Sequence, residues 1–559
     1  MIQAQNNRES QQPERVYLQS DRDIYIAGDN LFYSIYIHGN PDLISRYAYL
    51  VLRDRNNVAV ARERVELKNQ MAYGNLFLHD TLPTNVYQLV CYTNFMRNEG
   101  EDSFFTKEII IANRFDKNPE LIDSINKFNQ SSGLHASYPD SISKNGNLII
   151  HLDKKDFKLR EKVTFSLETR NLYGDTIINI SVSVREIVPG IFRNPSISDY
   201  FKSNTEHDVS SRSGQNHSDY HREINESVIE GRVLTLSKSD NQSGSFEILV
   251  STPDTIANLQ YTSTDSTGSF CIFLNHYYEG KELILRVKEN SNAVIEIEDK
   301  FKLTKPFIPT GLINNPDLRS YLFRILKIAE VQRYYNEKKE LISVKSVSNP
   351  VSIPRVYYKP YSRVFPGDYL PLPDFTEISR ELLLASRVRK INDHYTLNFI
   401  DFRNKDIPNL EPVIFLDGVL IDDIDQIINL GTSQIKWVDI LPVIRYYGEM
   451  SFPGILSVLS KKLEINNILF KTPMVRYQAL SSQSYTIPRK FTPAELNDHV
   501  PDVRQSLLWD PLVSLRNKEK KQIECFTSDL SGIFEISIQG ITSKGMPLNC
   551  SAIFSVNMK

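Results

Sequence analysis

From Val16 to Ile111 apolar and polar residues alternate in short runs, each stopped by Gly, Asn, Pro or charged residues. The runs are Val16-Tyr-Leu-Gln-Ser-Asp21, Tyr25-Ile-Ala-Gly-Asp29, Leu31-Phe-Tyr-Ser-Ile-Tyr-Ile-His38, Ala48-Tyr-Leu-Val-Leu-Arg53, Tyr73-Gly-Asn-Leu-Phe-Leu78, Tyr87-Gln-Leu-Val-Cys-Tyr92 and Phe104-Phe-Thr-Lys-Glu-Ile-Ile-Ile111. A period of two puts alternate side chains on opposite faces of a strand, so this spacing predicts a β-sandwich over 14–115, preceded by a flexible stretch at 1–13. Leu148–Asp153, Phe157–Leu167 and Ile180–Arg185 predict a second sandwich over 134–190, with Leu172-Tyr-Gly-Asp175 as a turn. Ser, Asn, His, Asp and Gly then dominate from Ser203 to Asn225. Such a stretch has no apolar face to bury and predicts a polar linker over 191–226.

Alternation resumes in Val228–Leu234, Asp265–Phe273 and Glu282–Val287, predicting a third sandwich over 227–305. Between 306 and 345 the period changes. Leu318, Tyr321, Leu322, Ile325, Leu326, Ile328, Ala329 and Val331 recur at helical spacing, with Asn315 or Asp317 as the cap. Residues 346–375 are Pro-rich and read as extended, a short helix is expected from Glu377 to Arg389, and Tyr395–Phe402 reads as a strand. The run Val413–Leu416 is halted by Asp417-Gly418, a dipeptide suited to a tight hairpin turn, inside a small α+β unit at 346–465. A polar linker is expected at 466–500, and a β segment at 501–559 that completes a sandwich begun earlier. The fold class expected is therefore mainly β, a string of β-sandwiches plus one small α+β domain.

Composition narrows the function classes. The chain of 559 residues carries 65 Lys and Arg against 68 Asp and Glu, net −3, with no long basic block, which disfavours nucleic acid. No run approaches the ~18 apolar residues of a membrane-spanning helix. Four cysteines, Cys91, Cys271, Cys525 and Cys550, are too few for a disulfide scaffold. Cys525 and Cys550 flank one expected meander, and either they pair in an oxidising compartment or all four are buried thiols. The start Met1-Ile-Gln-Ala-Gln-Asn-Asn7 shows no basic or apolar leader, although Ile2–Gln5 reads like the tail of a signal peptide.

Particular segments resemble known families. Tyr17-Leu-Gln-Ser-Asp-Arg-Asp-Ile-Tyr-Ile-Ala-Gly28, with Leu82-Pro83 and Tyr92-Thr-Asn-Phe-Met-Arg-Asn98, resembles the second macroglobulin domain (MG2) of α2-macroglobulin-like proteins, in the form carried by exported Gram-negative proteins. Val228–Leu234 with Asp265-Ser-Thr-Gly-Ser-Phe270 resembles the regulatory-like sandwich appended to carboxypeptidases, which brings no peptidase residues. Glu411–Ile421, Ile435–Leu441 and Tyr446–Val458 resemble the plug of TonB-dependent outer-membrane receptors. About 100 residues follow Lys461, too few for a barrel of ~22 strands at ~10 residues each. Trp509-Asp-Pro511 ahead of Gln522–Thr542 is similar to the start of the core macroglobulin module. The resemblance implies export to the periplasm and association with the outer membrane.

Candidate chemistry is sparse. Macroglobulins that trap proteases covalently use Cys-x-Glu-Gln, and none of the four cysteines has it. The densest set of metal-ligand types is His207-Asp208 with His217-x-Asp219-x-His221, in a stretch that reads more simply as solvated loop. Asp417, Asp422 and Asp423 form a carboxylate group better read as turn and cap residues. Trp509, Tyr357-Tyr358 and Tyr446-Tyr447 could stack on a sugar or a partner side chain; core burial is the plainer reading. No catalytic, metal or cofactor set is assigned. The function expected is a non-enzymatic exported scaffold that binds envelope proteins, such as an outer-membrane barrel, through its macroglobulin-like and plug-like domains. The alternative is a non-covalent macroglobulin-type protease inhibitor lacking the thioester, with 203–225 as bait. A metal-dependent hydrolase in that loop is a third reading.

Overall fold

The computed structural model describes residues 13–40, 43–116, 147–170, 172, 176–187, 195–207, 220–235, 245–288, 292–309, 316–335, 341–344, 352–383, 386–399, 411–468, 470–481, 485–488, 491 and 499–558. The flexible 1–13 segment but for Pro13, residues 134–146 of the second sandwich and Tyr173–Asp175 of its turn lie outside them. The fold is mainly β, and the chain divides into two compact units. One comprises residues 1–225, 300–347 and 482–559, the other 226–299 and 348–481.

In the first unit the N-terminal sandwich packs Arg15–Ser20, Asn30–His38 and Met71–Phe77 against a five-stranded sheet. That sheet runs Ile24–Ile26, Phe105–Ala112, Asn85–Tyr92, Tyr47–Arg53, Ala59–Glu66. The last is an eighth strand that the alternation does not announce. Ala59-Val-Ala-Arg-Glu-Arg-Val-Glu66 lies at the sheet edge, where exposure lets polar residues occupy half of the positions. The helix Pro316–Tyr334 buries Leu318, Tyr321, Leu322 and Ile325 against Ile24, Ile26, Val86 and Ile110. Each fully buried aliphatic side chain there contributes about 1.5–3 kcal/mol.

The second sandwich of this unit is assembled from strands between 148 and 186 and strands between 506 and 557. Its five-stranded sheet runs Asp156–Lys158, Pro547–Asn557, Gly532–Thr542, Ile177–Glu186, Ser506–Arg516, and the facing sheet runs Lys520–Phe526, Lys162–Thr169, Leu148–Leu152. Ile177–Glu186 is paired on both sides by C-terminal strands, with Val182 opposite Ile538 on one and Asp510 on the other. The stretch read as a linker at 191–226 holds the helix Ile197–His207. Its Ile197 and Phe201, one turn apart, are buried, and Phe201 stacks on His38 at 5.1 Å. Two apolar residues in a polar stretch suffice when the neighbouring sandwich supplies the rest of the surface.

In the second unit a sandwich is built from Ser269–Leu274, Ser227–Thr235 and Ala293–Ile297 facing Gln260–Ser263, Glu247–Ser251, Glu282–Val287 and Met474–Gln478. Met474–Gln478 falls in the stretch expected as a linker at 466–500; Val475 and Tyr477 lie against the core, which explains the pairing. The turn Asp265-Ser-Thr-Gly268 closes as its residue types require. Asp265 Oδ1 accepts from the Thr267 and Ser269 amides, and Gly268 takes φ 79° where a Cβ would lie 2.5 Å from the Val233 carbonyl oxygen.

The small α+β part of this unit is a mixed five-stranded sheet ordered Ser362–Val364, Ile435–Leu441, Ile455–Ser460, Val413–Leu416, Val419–Ile421, covered by the helix Phe375–Leu382. That helix ends before the expected Arg389. Ser386–Ile391 is instead a strand in a hairpin with His394–Phe399, because Asn392 (φ 49°) and Asp393 (φ 68°) occupy both left-handed positions of a two-residue turn.

Candidate protein-binding surface

The sheet of the α+β part has two unlike edges. Beyond Val413–Leu416 the chain reverses at Asp417 (φ 48°) and Gly418 (φ 84°), pairing Leu416 with Val419. That turn is covered: the Asp254 amide donates to the Asp417 carbonyl, the Asn258 amide to the Gly418 carbonyl, and a Cβ on Gly418 would lie 2.7 Å from two carbonyl oxygens. At the opposite edge Ser362–Val364 pairs with Val438–Ile440, and no strand lies on its outer side among the described residues.

This open edge is rigid. Asp439, fully buried in the next strand, accepts two bonds from the Arg363 guanidinium, at 2.6 and 2.7 Å, and one from the Tyr357 hydroxyl at 2.8 Å. The same guanidinium lies 4.2 Å from the Trp437 ring centre. A planar cation held by a bidentate carboxylate and an aromatic face has little rotational freedom left. The Tyr361 amide donates to Ile440, and the Arg445 Nε to the Val356 carbonyl, which ties the 356–364 segment to the turn at 442–446.

Around the edge stand Tyr358 (77% exposed), Tyr361 (69%), Phe365, Tyr369, Leu370, Val443, Ile444 and Tyr446 (73%). Burial, with the nearby Tyr261 and Tyr358 phenols, raises the Tyr447 hydroxyl pKa above its usual value, and Tyr447 donates to the Leu259 carbonyl. At roughly 150–250 Å² per aromatic side chain, five rings that are about half to three-quarters exposed leave several hundred Å² in solvent, comparable with the largest apolar patches on monomers. The rim is basic. Lys359 and Lys436 are exposed, Arg445 is half-buried, and none has an ion-pair partner among the described residues; Asp368 and Glu449 are exposed carboxylates of the same segments.

The sequence pairs the aromatics at 357–358 and 446–447 without telling their fates apart. Tyr357 is core, as the plainer reading has it, whereas Tyr358 and Tyr446 point outward, a correction to that reading. Trp509 is buried in the second sandwich of the other unit. The carboxylates of the 417–423 group are each engaged separately. Asp417 is fully buried and accepts from the Ser460 amide (2.7 Å), the Ser460 hydroxyl (2.8 Å) and the Ile465 amide (3.1 Å). Asp422 accepts from Arg286 at 2.5 Å and from the Lys471 amide, and Asp423 pairs with the Lys471 ammonium. Asp417 and Asp422 are satisfied, and Asp423 is paired through one oxygen while its Oδ1 is buried without a partner; held on separate partners in turn and cap positions, the three offer no shared site for a proton or an ion. Of the histidine-rich stretch, Asp208, His217 and Asp219 lie outside the described residues; His221 is exposed and its carbonyl accepts from Asn94.

The first unit holds titratable groups in quantity, placed between its two sandwiches. Burial opposes ionisation of Asp23, but Arg185 (3.0 Å) and Lys107 (2.5 Å) outweigh it and hold its pKa down at about 2. Lys107 also donates to the Ser20 hydroxyl at 2.6 Å. Nearby, Tyr36 donates to Ser181 and to the Gln539 carbonyl, and Ser183 to the Asp21 carbonyl. Fully internal networks of this kind fix one docking geometry. All four cysteines are free thiols. Cys525 and Cys550 line one core from its two sheets as free thiols, so the pairing considered from sequence is not formed.

No protein-family model matches the chain, and no curated protein matches it. Among solved structures it is similar to Salmonella α2-macroglobulin reacted with methylamine (TM-score 0.24, 9% identity, covering 97% of this chain and 39% of that one). It is similar also to trypsin-activated α2-macroglobulin from Escherichia coli (TM-score 0.23, 9% identity, 97% and 41%) and to the E. coli protein activated by porcine elastase (TM-score 0.15, 9% identity, 98% and 53%). The chain thus spans between 39% and 53% of the length of these three.

Proposed function

We propose that the chain is a non-enzymatic scaffold of the Gram-negative cell envelope, facing the periplasm, whose α+β part binds a protein of the outer membrane. What supports this is the set of exposed aromatic side chains on and beside the rigid edge: Tyr361 adjoins the edge strand, Tyr358 stands on the segment leading into it, and Tyr446 on the separate hairpin strand Arg445–Tyr447, which is tied to that segment, and such rings are suited to contact with another protein. Aromatic side chains on a preorganised strand add binding area at low entropic cost. The sequence resemblance supplies the location; among the described residues no helix is long and apolar enough to cross a membrane. Crosslinking of the tagged full-length protein in intact envelopes tests it. Crosslinks from 357–370 or 443–446 to an outer-membrane protein support the scaffold; fractionation with the cytoplasm, or crosslinks to that class unchanged on deleting 376–461, overturns it.

A second reading is a non-covalent protease inhibitor of macroglobulin type. The observation behind it is a polar stretch fastened at both ends. On one side of it stands the helix Ile197–His207 and on the other Tyr220, whose ring lies 4.0 Å from the Arg97 guanidinium and whose carbonyl accepts from Asn98. Arg222 follows, 3.3 Å from buried Glu14. A single cut between Ser203 and Asn225 that compacts the molecule and slows that protease is the outcome expected; cleavage with the protease still fully active removes the reading.

A further inference from the structure

Deepening the scaffold reading, on which it rests, we propose that the partner contributes an extended, acidic segment that adds as a sixth strand outside Ser362–Val364. Three observations converge on that occupant. The edge has no strand on its outer side among the described residues, while the turn at 417–418 is covered by the 254–258 segment. An unpaired edge presents backbone donors and acceptors that only another extended backbone satisfies in register. Pro360 and Pro366 bracket the edge and lack an N–H, which limits the added strand to about five residues and opposes indiscriminate stacking of sheets.

Side chains fix the chemistry. Tyr361 and Phe365, four apart on an extended chain, share one face of the edge and offer apolar contact to alternate residues of the incoming strand. Arg363, locked on Asp439 and Trp437, is already neutralised. The cations left for a partner among the described residues are Lys359, Lys436 and Arg445, with Asp368 and Glu449 as the exposed carboxylates. A strand carrying Glu or Asp between Val or Tyr residues matches both patterns, and a basic strand is repelled.

The test uses the full chain and defined probes: a fluorescent ten-residue peptide alternating valine and glutamate, the same peptide N-methylated at alternate amides, and its valine–lysine counterpart. Fluorescence anisotropy reads binding to wild type, to Tyr361→Ser/Tyr446→Ser, and to Lys359→Glu/Lys436→Glu. Expected is binding of the acidic peptide that weakens at least ten-fold on N-methylation, on replacement by lysine, and in both double variants, with the charge-reversed variant now preferring the lysine peptide. These exposed positions leave the fold intact, which circular dichroism checks. Equal binding of the N-methylated peptide, or no dependence on the variants, overturns strand addition. Sedimentation separates a further outcome: a dimer of the full chain lost in the tyrosine variant overturns it in favour of self-pairing. A negative peptide result with envelope crosslinks intact sinks this proposal and leaves the scaffold standing.

Discussion

Glu63 is a carboxyl in the wrong place for its charge. It sits on the edge strand Ala59–Glu66 with its side chain turned inward, and burial pushes its pKa from 4.5 up to about 7, although the Tyr33 hydroxyl donates to it at 3.0 Å. The folded chain therefore keeps a proton that the unfolded chain releases above about 4.5. Stability falls as pH rises from about 4.5 through 7 and is level beyond. Glu63→Gln mimics the protonated form and keeps an acceptor for Tyr33. At about 1.4 kcal/mol per pKa unit, the variant gains on the order of 3 kcal/mol at pH 8 and almost nothing at pH 4. Thermal unfolding at both pH values checks this; equal gains at both would mean Glu63 is ionised in the fold. The thiols give a second residue-scale expectation. Burial raises Cys91, Cys525 and Cys550, the latter two to about 12, whereas Cys271 is half-buried. A thiol reagent such as DTNB should titrate one cysteine in the native protein and four after denaturation, and protection of Cys271 or early reaction of Cys550 would contradict the packing.

Elements were legible in the sequence where a local rule decides them. Asp417-Gly418 takes the two left-handed positions its residue types favour, Asp265–Phe270 closes its turn through the Asp side chain, and Leu318, Tyr321, Leu322, Ile325 and Ala329 lie on one helix face because their spacing is helical. The segment Glu377–Arg389 was misjudged because its charged residues suit a helix, while the deciding feature, the Asn392-Asp393 turn, lies beyond its end. Tyr358 and Tyr446 were illegible for another reason: alternation marks which residues share a face of a strand and is silent on whether that face is covered. At this scale Asp417 is the keystone of the 416–419 hairpin, accepting from Ser460 and Ile465 across the sheet. Asp417→Ala leaves buried donors unpaired at about 1–3 kcal/mol each, and Asp417→Asn retains one acceptor and the turn geometry. Hydrogen exchange should show the Ser460 and Ile465 amides deprotected strongly in the alanine variant and weakly in the asparagine variant; unchanged protection in alanine would show the carboxylate carries no structural weight.

The whole molecule poses a folding problem, since its second sandwich is split across more than three hundred residues of chain. The segment after 501 reads in sequence as completing a sandwich begun earlier, but which of its strands pairs with which strand of 148–185 is a non-local fact that no local pattern encodes. The strand Ile177–Glu186 has the C-terminal strands Ser506–Arg516 and Gly532–Thr542 on its two sides, and more than half of the apolar side chains in that core follow Gln505, among them Leu508, Phe534, Ile536, Ile538 and Phe554. Contacts so distant in sequence carry a large loop-closure entropy and form late. Ending the chain at Arg504 strips both neighbours from that strand and removes one wall of the core, a loss far beyond the 5–15 kcal/mol that holds a domain folded. The second unit, made of 226–299 and 348–481, draws no strand from after Gln478. The truncated protein should therefore lose the unfolding transition of the first unit and keep that of the second, with fast exchange over Leu148–Glu186 and native protection over Val413–Ser460. Native protection at Ile177–Glu186 without the C-terminal strands would show that the sandwich is not built across the insertion.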